Sequence, residues 1–229
     1  MRRYAIHSAY NMRDLGGYPT KGGIYTEYGR LFRSDCPEGL NEEDLGQLNA
    51  LGIEAVIDLR SLHECASKPS PYRMISDVTY HHIAFKTGDL APASEEDIPT
   101  GYLAMMEDTE TVLKVLNVIV NTKKSVLYHC AVGKDRTGII TAIVLSLCQV
   151  PIQDILADYQ VSYTYLKPLI EAYKKINPAM PEWVGMSKES YLTDTFSLIN
   201  QKYSSFEGYL EAINLDRSLI EKLQRKMYI

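Results

Sequence analysis

The 229-residue chain has few cysteines, only Cys36, Cys65, Cys130 and Cys148. No two of them form a C-x-x-C pair, which removes the usual signatures of a structural zinc site or a thioredoxin-like redox centre. Basic residues are not in surplus: 24 stand against 29 acidic ones, for a net charge of −5 and a pI near 5.6. General nucleic-acid binding calls for the opposite balance, so no nucleic-acid partner is expected. No apolar run approaches the roughly 18 residues needed to span a bilayer. The opening MRRYAIHSAYNMRD has basic residues but no apolar stretch behind them, so a secretory leader is not expected. Internal repeats and low-complexity blocks are absent. What remains is ordinary for a globular chain, 45% apolar and 23% charged. The expectation is a single domain over residues 1–229, cytoplasmic, with free thiols and no integral membrane association.

The first forty residues are rich in turn formers, with Gly16-Gly17, Pro19, Gly22-Gly23 and Gly29, and predict short strands and tight turns. Asn41 is a good N-cap for the helical run EEDLGQLNAL, and Gly52 stops it. Short strands are expected at Ile53–Leu59, Val78–Phe85 and Ser125–Cys130. A polar loop covers Gly88–Gly101. One helical stretch is expected from Tyr102 to Val120, with Val112, Leu116, Ile119 and Val120 on its apolar face. A nearly all-apolar helix runs from Thr137 to Cys148, which predicts burial. Another begins at Pro151, with Ile152, Ile155, Leu156 and Tyr159 on one stripe, and continues through Leu169, Tyr173 and Ile176. Two or three short helices close the chain after Ser187. Strands alternating with helices predict an α/β fold, a central and largely parallel sheet flanked by helices, with a helical C-terminal third.

The chemistry concentrates between a strand and a helix, in Cys130-Ala-Val-Gly-Lys-Asp-Arg136. In α/β folds ligands bind at the carboxyl end of strands, and the amino end of a helix offers free N–H groups and a favourable dipole to an oxyanion. The candidate phosphate-binding set is Ala131, Val132, Gly133, Lys134, Thr137 and Gly138. Gly133 supplies the backbone freedom for turning amides inward. Arg136 can grip two phosphate oxygens in a fork. Cys130 shares this positive field, which favours its thiolate. A thiolate in the floor of an anion cradle suits phosphoryl transfer to sulfur. Thr137 is a candidate donor to the departing sulfur, and His129 an organiser of the loop. Charge stabilisation by Arg136 and the amides calls for no metal and no cofactor.

The string His-Cys-x5-Arg-Thr-Gly resembles the signature of the protein tyrosine phosphatase superfamily. HCAVGKDRTG is similar, more narrowly, to the bacterial branch with Gly-Lys-Asp-Arg-Thr-Gly in this loop, which includes dual-specificity enzymes acting on phosphotyrosine and on phosphoinositides. Asn11-Met-Arg-Asp-Leu-Gly-Gly17, Leu31-Phe-Arg-Ser34, Val56-Ile-Asp-Leu-Arg-Ser61 with Glu64, and Tyr203–Leu210 resemble further landmarks of that branch, in its order. The resemblance implies a cysteine-dependent phosphatase whose partners are phosphorylated proteins or phosphoinositides. It leaves three candidates for the general acid: Asp58, which the resemblance favours, then Asp135 in the loop, then Asp89 in the long polar loop. Lys134 is expected to add charge beside the phosphate, and Arg60 to pair with Glu64. Competing readings are an inositol polyphosphate phosphatase, a sulfurtransferase, or a catalytically weak phosphate-binding module.

Overall fold

The computed structural model describes residues 2–88 and 92–228. Its sheet has five strands in the order β1-β2-β5-β3-β4: β1 (Arg13–Asp14), β2 (Leu31–Ser34), β5 (Ser125–His129), β3 (Ile53–Asp58) and β4 (Thr79–His82). Only the edge pair β1·β2 is antiparallel. Every side chain of β5 is buried, as a central strand covered on both faces requires. The period of two sorts the strand residues into two cores. Leu31, Ala55, Ile57, Val126 and Tyr128 enter the larger core. Phe32, Val56 and Leu127 enter the smaller one, with Ile6, Met12 and Leu48.

The larger core lies under the helices that follow β4. The stretch expected as one helix from Tyr102 to Val120 is two, α3 (Ile98–Met106) and α4 (Thr109–Asn121). Asp108 makes the break, because its carboxylate caps the Thr111 N–H and starts a new helix. Val115, not Val120, joins Val112, Leu116 and Ile119 on the buried face. The expected all-apolar helix is α5 (Asp135–Leu147), starting two residues earlier than its apolar run. α6 (Ile152–Ile176) docks through Ile155, Leu156 and Tyr159, whereas Ile152, Tyr173 and Ile176 are exposed. Three further helices close the chain, α7 (Glu189–Tyr203), α8 (Phe206–Ala212) and α9 (Arg217–Met227).

Two shorter helices complete the frame. α1 (Glu42–Ala50) begins at Asn41, whose side chain and that of Asp44 form a reciprocal cap, and Gly52 ends it at φ +63°. α2 (Leu62–Ser67) is capped in the same way by Ser61 and Glu64. This short helix carries Glu64 to the carboxyl edge of the sheet, where β5 delivers Cys130.

Candidate active site

Residues 130–134 connect β5 to the amino end of α5, and the carbonyls of residues 130–133 are each engaged by a group from outside the loop. His129 Nδ1 lies 3.1 Å from Cys130 O. The Cys36 N–H donates to Ala131 O at 3.0 Å. Asn11 Nδ2 donates to Val132 O at 3.1 Å and to Gly133 O at 2.9 Å, and Arg33 Nη2 donates to Gly133 O at 2.7 Å. Holding carbonyls from behind leaves the amides to face inward. None of the N–H groups of residues 131–134 donates to another group among the described residues. Together with the amino end of α5 they make a concave nest of free N–H groups, the arrangement that suits a tetrahedral anion. Gly133 is required here twice over. Its φ is +66°, and a Cβ would stand 2.4 Å from Ser34 O.

The groups holding the loop are themselves held by one buried carboxylate. Asp158 of α6 accepts from Arg13 Nε at 2.8 Å, from Arg33 Nη1 at 2.5 Å and from the Tyr18 hydroxyl at 2.9 Å. Arg13 Nη1 donates to Asn11 Oδ1 at 2.7 Å, which fixes the amide so that its NH2 end meets the loop. The turn Asn11–Gly17 is therefore part of the site's scaffold rather than a connector. Burial pushes the Asp158 carboxyl up, but Arg13 and Arg33 outweigh it and hold it well below the usual carboxylate range. No local signal marks Asp158 in the sequence, since it is one of three acids in a 25-residue helix, and acids on a helix ordinarily face water.

Arg136 projects from the first turn of α5. Its Nη1 and Nη2 meet the two Glu64 oxygens at 2.6 and 2.8 Å. The bidentate pair sets the guanidinium plane before any ligand arrives. This corrects the expected Arg60–Glu64 pair. Arg60 instead grips Asp58, with Nε and Nη2 at 2.9 and 2.6 Å. Asp58, the first-ranked acid from sequence, is fully buried and also accepts from the Tyr80 hydroxyl at 2.5 Å. Burial raises its pKa, but the Arg60 fork and the Tyr80 hydroxyl hold it well below the carboxylate range. An acid kept ionised by a fork of N–H donors has no proton to give, so its position in the ranking is corrected. Asp58 stabilises the loop after β3 through the Arg60 N–H and side chain.

Lys134 is also redirected. Its Nζ donates to Val184 O at 3.2 Å and Met186 O at 2.8 Å, anchoring the segment before α7 instead of standing free beside the nest. Asp135 keeps a partly exposed carboxyl, bonded through Oδ1 to the Tyr102 hydroxyl. Thr137 Oγ1 is buried and has no partner among the described residues. Gly138 packs under the ring of Tyr159, with a Cβ position 3.1 Å from it. Cys130 is buried at the floor of the loop. Asp89, the third candidate acid, lies outside the described residues.

His129 is fully buried between Ser70 Oγ, 3.0 Å from Nε2, and the Cys130 carbonyl. The carbonyl only accepts, so Nδ1 donates and the neutral ring takes the Ser70 proton at Nε2. Burial lowers its pKa to about 4, against the pull of Asp58. An unfolded chain protonates near 6.5, whereas the fold keeps the ring neutral down to about 4. Stability therefore falls as pH drops through that window, by about 3 kcal/mol at most. Urea midpoints of wild type and His129→Asn, measured from pH 7 to 4.5, are expected to converge as pH falls. Parallel curves would refute the assignment.

A strand, a cysteine in an anion nest, and an arginine at the following helix start, all on a mostly parallel α/β sheet, characterise a cysteine-based phosphatase. A sequence model of the tyrosine phosphatase family matches residues 4–229, and the chain belongs to that family. It is 29% identical to a chain assigned as a tyrosine-protein phosphatase of Cupriavidus necator, over 93% of this chain and 84% of the relative. It is 24% identical to a tyrosine-protein phosphatase of Nostoc commune, over 82% and 70%. It is 25% identical to the triple specificity protein phosphatase PtpB of Mycobacterium tuberculosis, over 96% of each chain. No described helix is long and apolar enough to cross a membrane.

Proposed function

We propose that the chain is a single-domain phosphatase that hydrolyses phosphate monoesters through a cysteinyl-phosphate, with phosphotyrosine proteins as its main substrates. The observation that carries the reading is the tied-back loop, whose free amides and Glu64-oriented Arg136 surround the Cys130 position. The Cys130 thiolate attacks phosphorus in line with the ester oxygen. As the S–P bond forms the P–O bond breaks, and the leaving oxygen takes a proton from Asp135. Asp135, now a carboxylate, then accepts a proton from water as that water attacks phosphorus and expels the Cys130 sulfur. Thr137 Oγ1, without another partner among the described residues, is available to stabilise that sulfur. The amides of Ala131, Val132, Gly133 and Lys134 and the Arg136 fork carry the charge of the equatorial oxygens. A reduced Cys130 is essential to this scheme, which implies a reducing compartment such as the cytoplasm.

Phosphotyrosine is favoured over polyphosphorylated inositides because Lys134 is engaged by two carbonyls, so the loop offers no loose cation for a second phosphate. The test is phosphate release from a phosphotyrosine peptide, a phosphoserine peptide and phosphoinositides, each with EDTA present. Release from the phosphotyrosine peptide at least about tenfold faster than from the others is expected. A preference for phosphoinositides would replace the substrate assignment, and no release from any of them would leave a phosphate-binding module.

A further inference from the structure

Two buried tyrosines converge on the loop aspartate from different helices. Tyr102 comes from α3 and Tyr159 from α6, and their rings meet edge-on with centroids 6.1 Å apart. They are 3% and 1% exposed. The Tyr102 hydroxyl bonds both Asp135 Oδ1 and the Tyr159 hydroxyl, the latter at 2.6 Å. The order of protons along this chain is fixed by simple counting. A carboxyl oxygen without hydrogen only accepts, so Tyr102 donates its single proton to Asp135 Oδ1 and accepts the proton of Tyr159. Lys134 Nζ stands 3.5 Å from the same Oδ1. Both donors thus gather on one oxygen, while Oδ2 has no partner among the described residues.

A pair of phenylalanines would fill the same space without burying hydroxyls. Burying a hydroxyl is unfavourable unless it is hydrogen-bonded, and among the described residues the hydroxyl pair terminates on Asp135 alone. We infer that Tyr102 and Tyr159 are positioning residues for the general acid, holding Asp135 by Oδ1 so that Oδ2 carries the transferable proton toward the leaving oxygen. The inference rests on the reading of Asp135 as the acid. Burial pushes both tyrosines well above their ordinary pKa, so neither yields its own proton, and the pair orients rather than relays. When the P–O bond breaks, the Oδ2 proton moves to the ester oxygen and the resulting carboxylate keeps the Tyr102 bond. The same bond steadies the carboxylate while it accepts the proton of the attacking water.

The test compares Tyr102→Phe and the double variant Tyr102→Phe/Tyr159→Phe with wild type on aryl phosphates of graded leaving-group pKa. The double variant leaves no orphaned hydroxyl, so it keeps the core satisfied if the single one loosens it. A general acid matters most for poor leaving groups, where it is worth on the order of 10²–10⁴-fold. Both variants are expected to lose about tenfold in kcat on phenyl phosphate and under about twofold on nitrophenyl phosphate, with KM unchanged on each. Asp135→Asn, run alongside, is expected to show the same dependence more steeply, and Tyr102→Phe added to it should change nothing more. A flat dependence in Asp135→Asn would overturn the acid assignment itself. A steep one in Asp135→Asn with a flat one in both tyrosine variants would overturn only the positioning role.

Discussion

Cys130→Ser is expected to lose turnover on every substrate, by on the order of 10⁴-fold or more, as removal of a nucleophile does elsewhere. The loss has two physical sources. A serine hydroxyl ionises far less readily than a thiol, and the nest of amides at the amino end of α5 cannot make up that gap. The C–O bond is also shorter than C–S, so the oxygen sits deeper in a floor that already buries the sulfur. The anion site itself should survive, because its parts lie elsewhere: Gly133 is pinned by Asn11 and Arg33, and Arg136 by Glu64. The variant should therefore bind inorganic phosphate or a phosphotyrosine peptide about as well as wild type does. Acid-quenched wild type is expected to carry a phosphate adduct at Cys130, detected by mass spectrometry, which the variant lacks. Appreciable turnover by Cys130→Ser would place the nucleophile elsewhere. Loss of phosphate binding along with turnover would mean the serine had collapsed the loop.

Hydrophobic period made most of this fold legible from sequence, and motif chemistry made the loop legible. β3, β5 and α5 are short apolar runs bounded by turn formers, and each lies within two residues of where its pattern puts it. The break between α3 and α4 was hidden because an apolar stripe continues across it; only the capping bond from Asp108 to Thr111 N–H ends one helix and starts the next. Cys130, Gly133 and Arg136 stood out because their roles depend on neighbours in sequence. The partners of the loop did not, because they depend on what the fold brings across the sheet. Glu64 appeared only as a landmark four residues from Arg60, the spacing of a helical ion pair, yet α2 turns it toward Arg136, 72 residues away. Lys134 looked like a phosphate ligand until the Val184–Met186 segment supplied carbonyls for it. Charge beside a phosphate loop is thus informative only once the competing acceptors are known.

Asp158→Ala is expected to destabilise the fold by about 3–5 kcal/mol, the range for removing one partner of a buried ion pair. That is a large part of the 5–15 kcal/mol that typically separates folded from unfolded domains. The reason is what remains behind. Arg13 and Arg33 have side chains 2% and 0% exposed, and an arginine cannot shed its charge to accommodate burial. Burial already lowers the Arg33 pKa, and Arg13 adds a like charge beside it. Asp158→Asn keeps an acceptor for Arg13 but removes the neutralising charge, so its loss should be smaller than that of alanine. Lys167→Ala, which breaks an exposed α6 pair with Glu171 at 3.9 Å, should shift stability by under about 1 kcal/mol and serves as the comparison. Urea unfolding at pH 7 measures all three. The carboxylate's contribution should persist down to the ordinary carboxylate range and fade only as pH falls below about 4. Activity should fall further than the unfolded fraction explains, because Arg13 orients Asn11 and Arg33 holds Gly133, and both anchors of the nest loosen together. An Asp158→Ala protein as stable as the Lys167→Ala control would show that the two arginines find other partners, and the loop would then have to be held by Asn11, Cys36 and His129 without them.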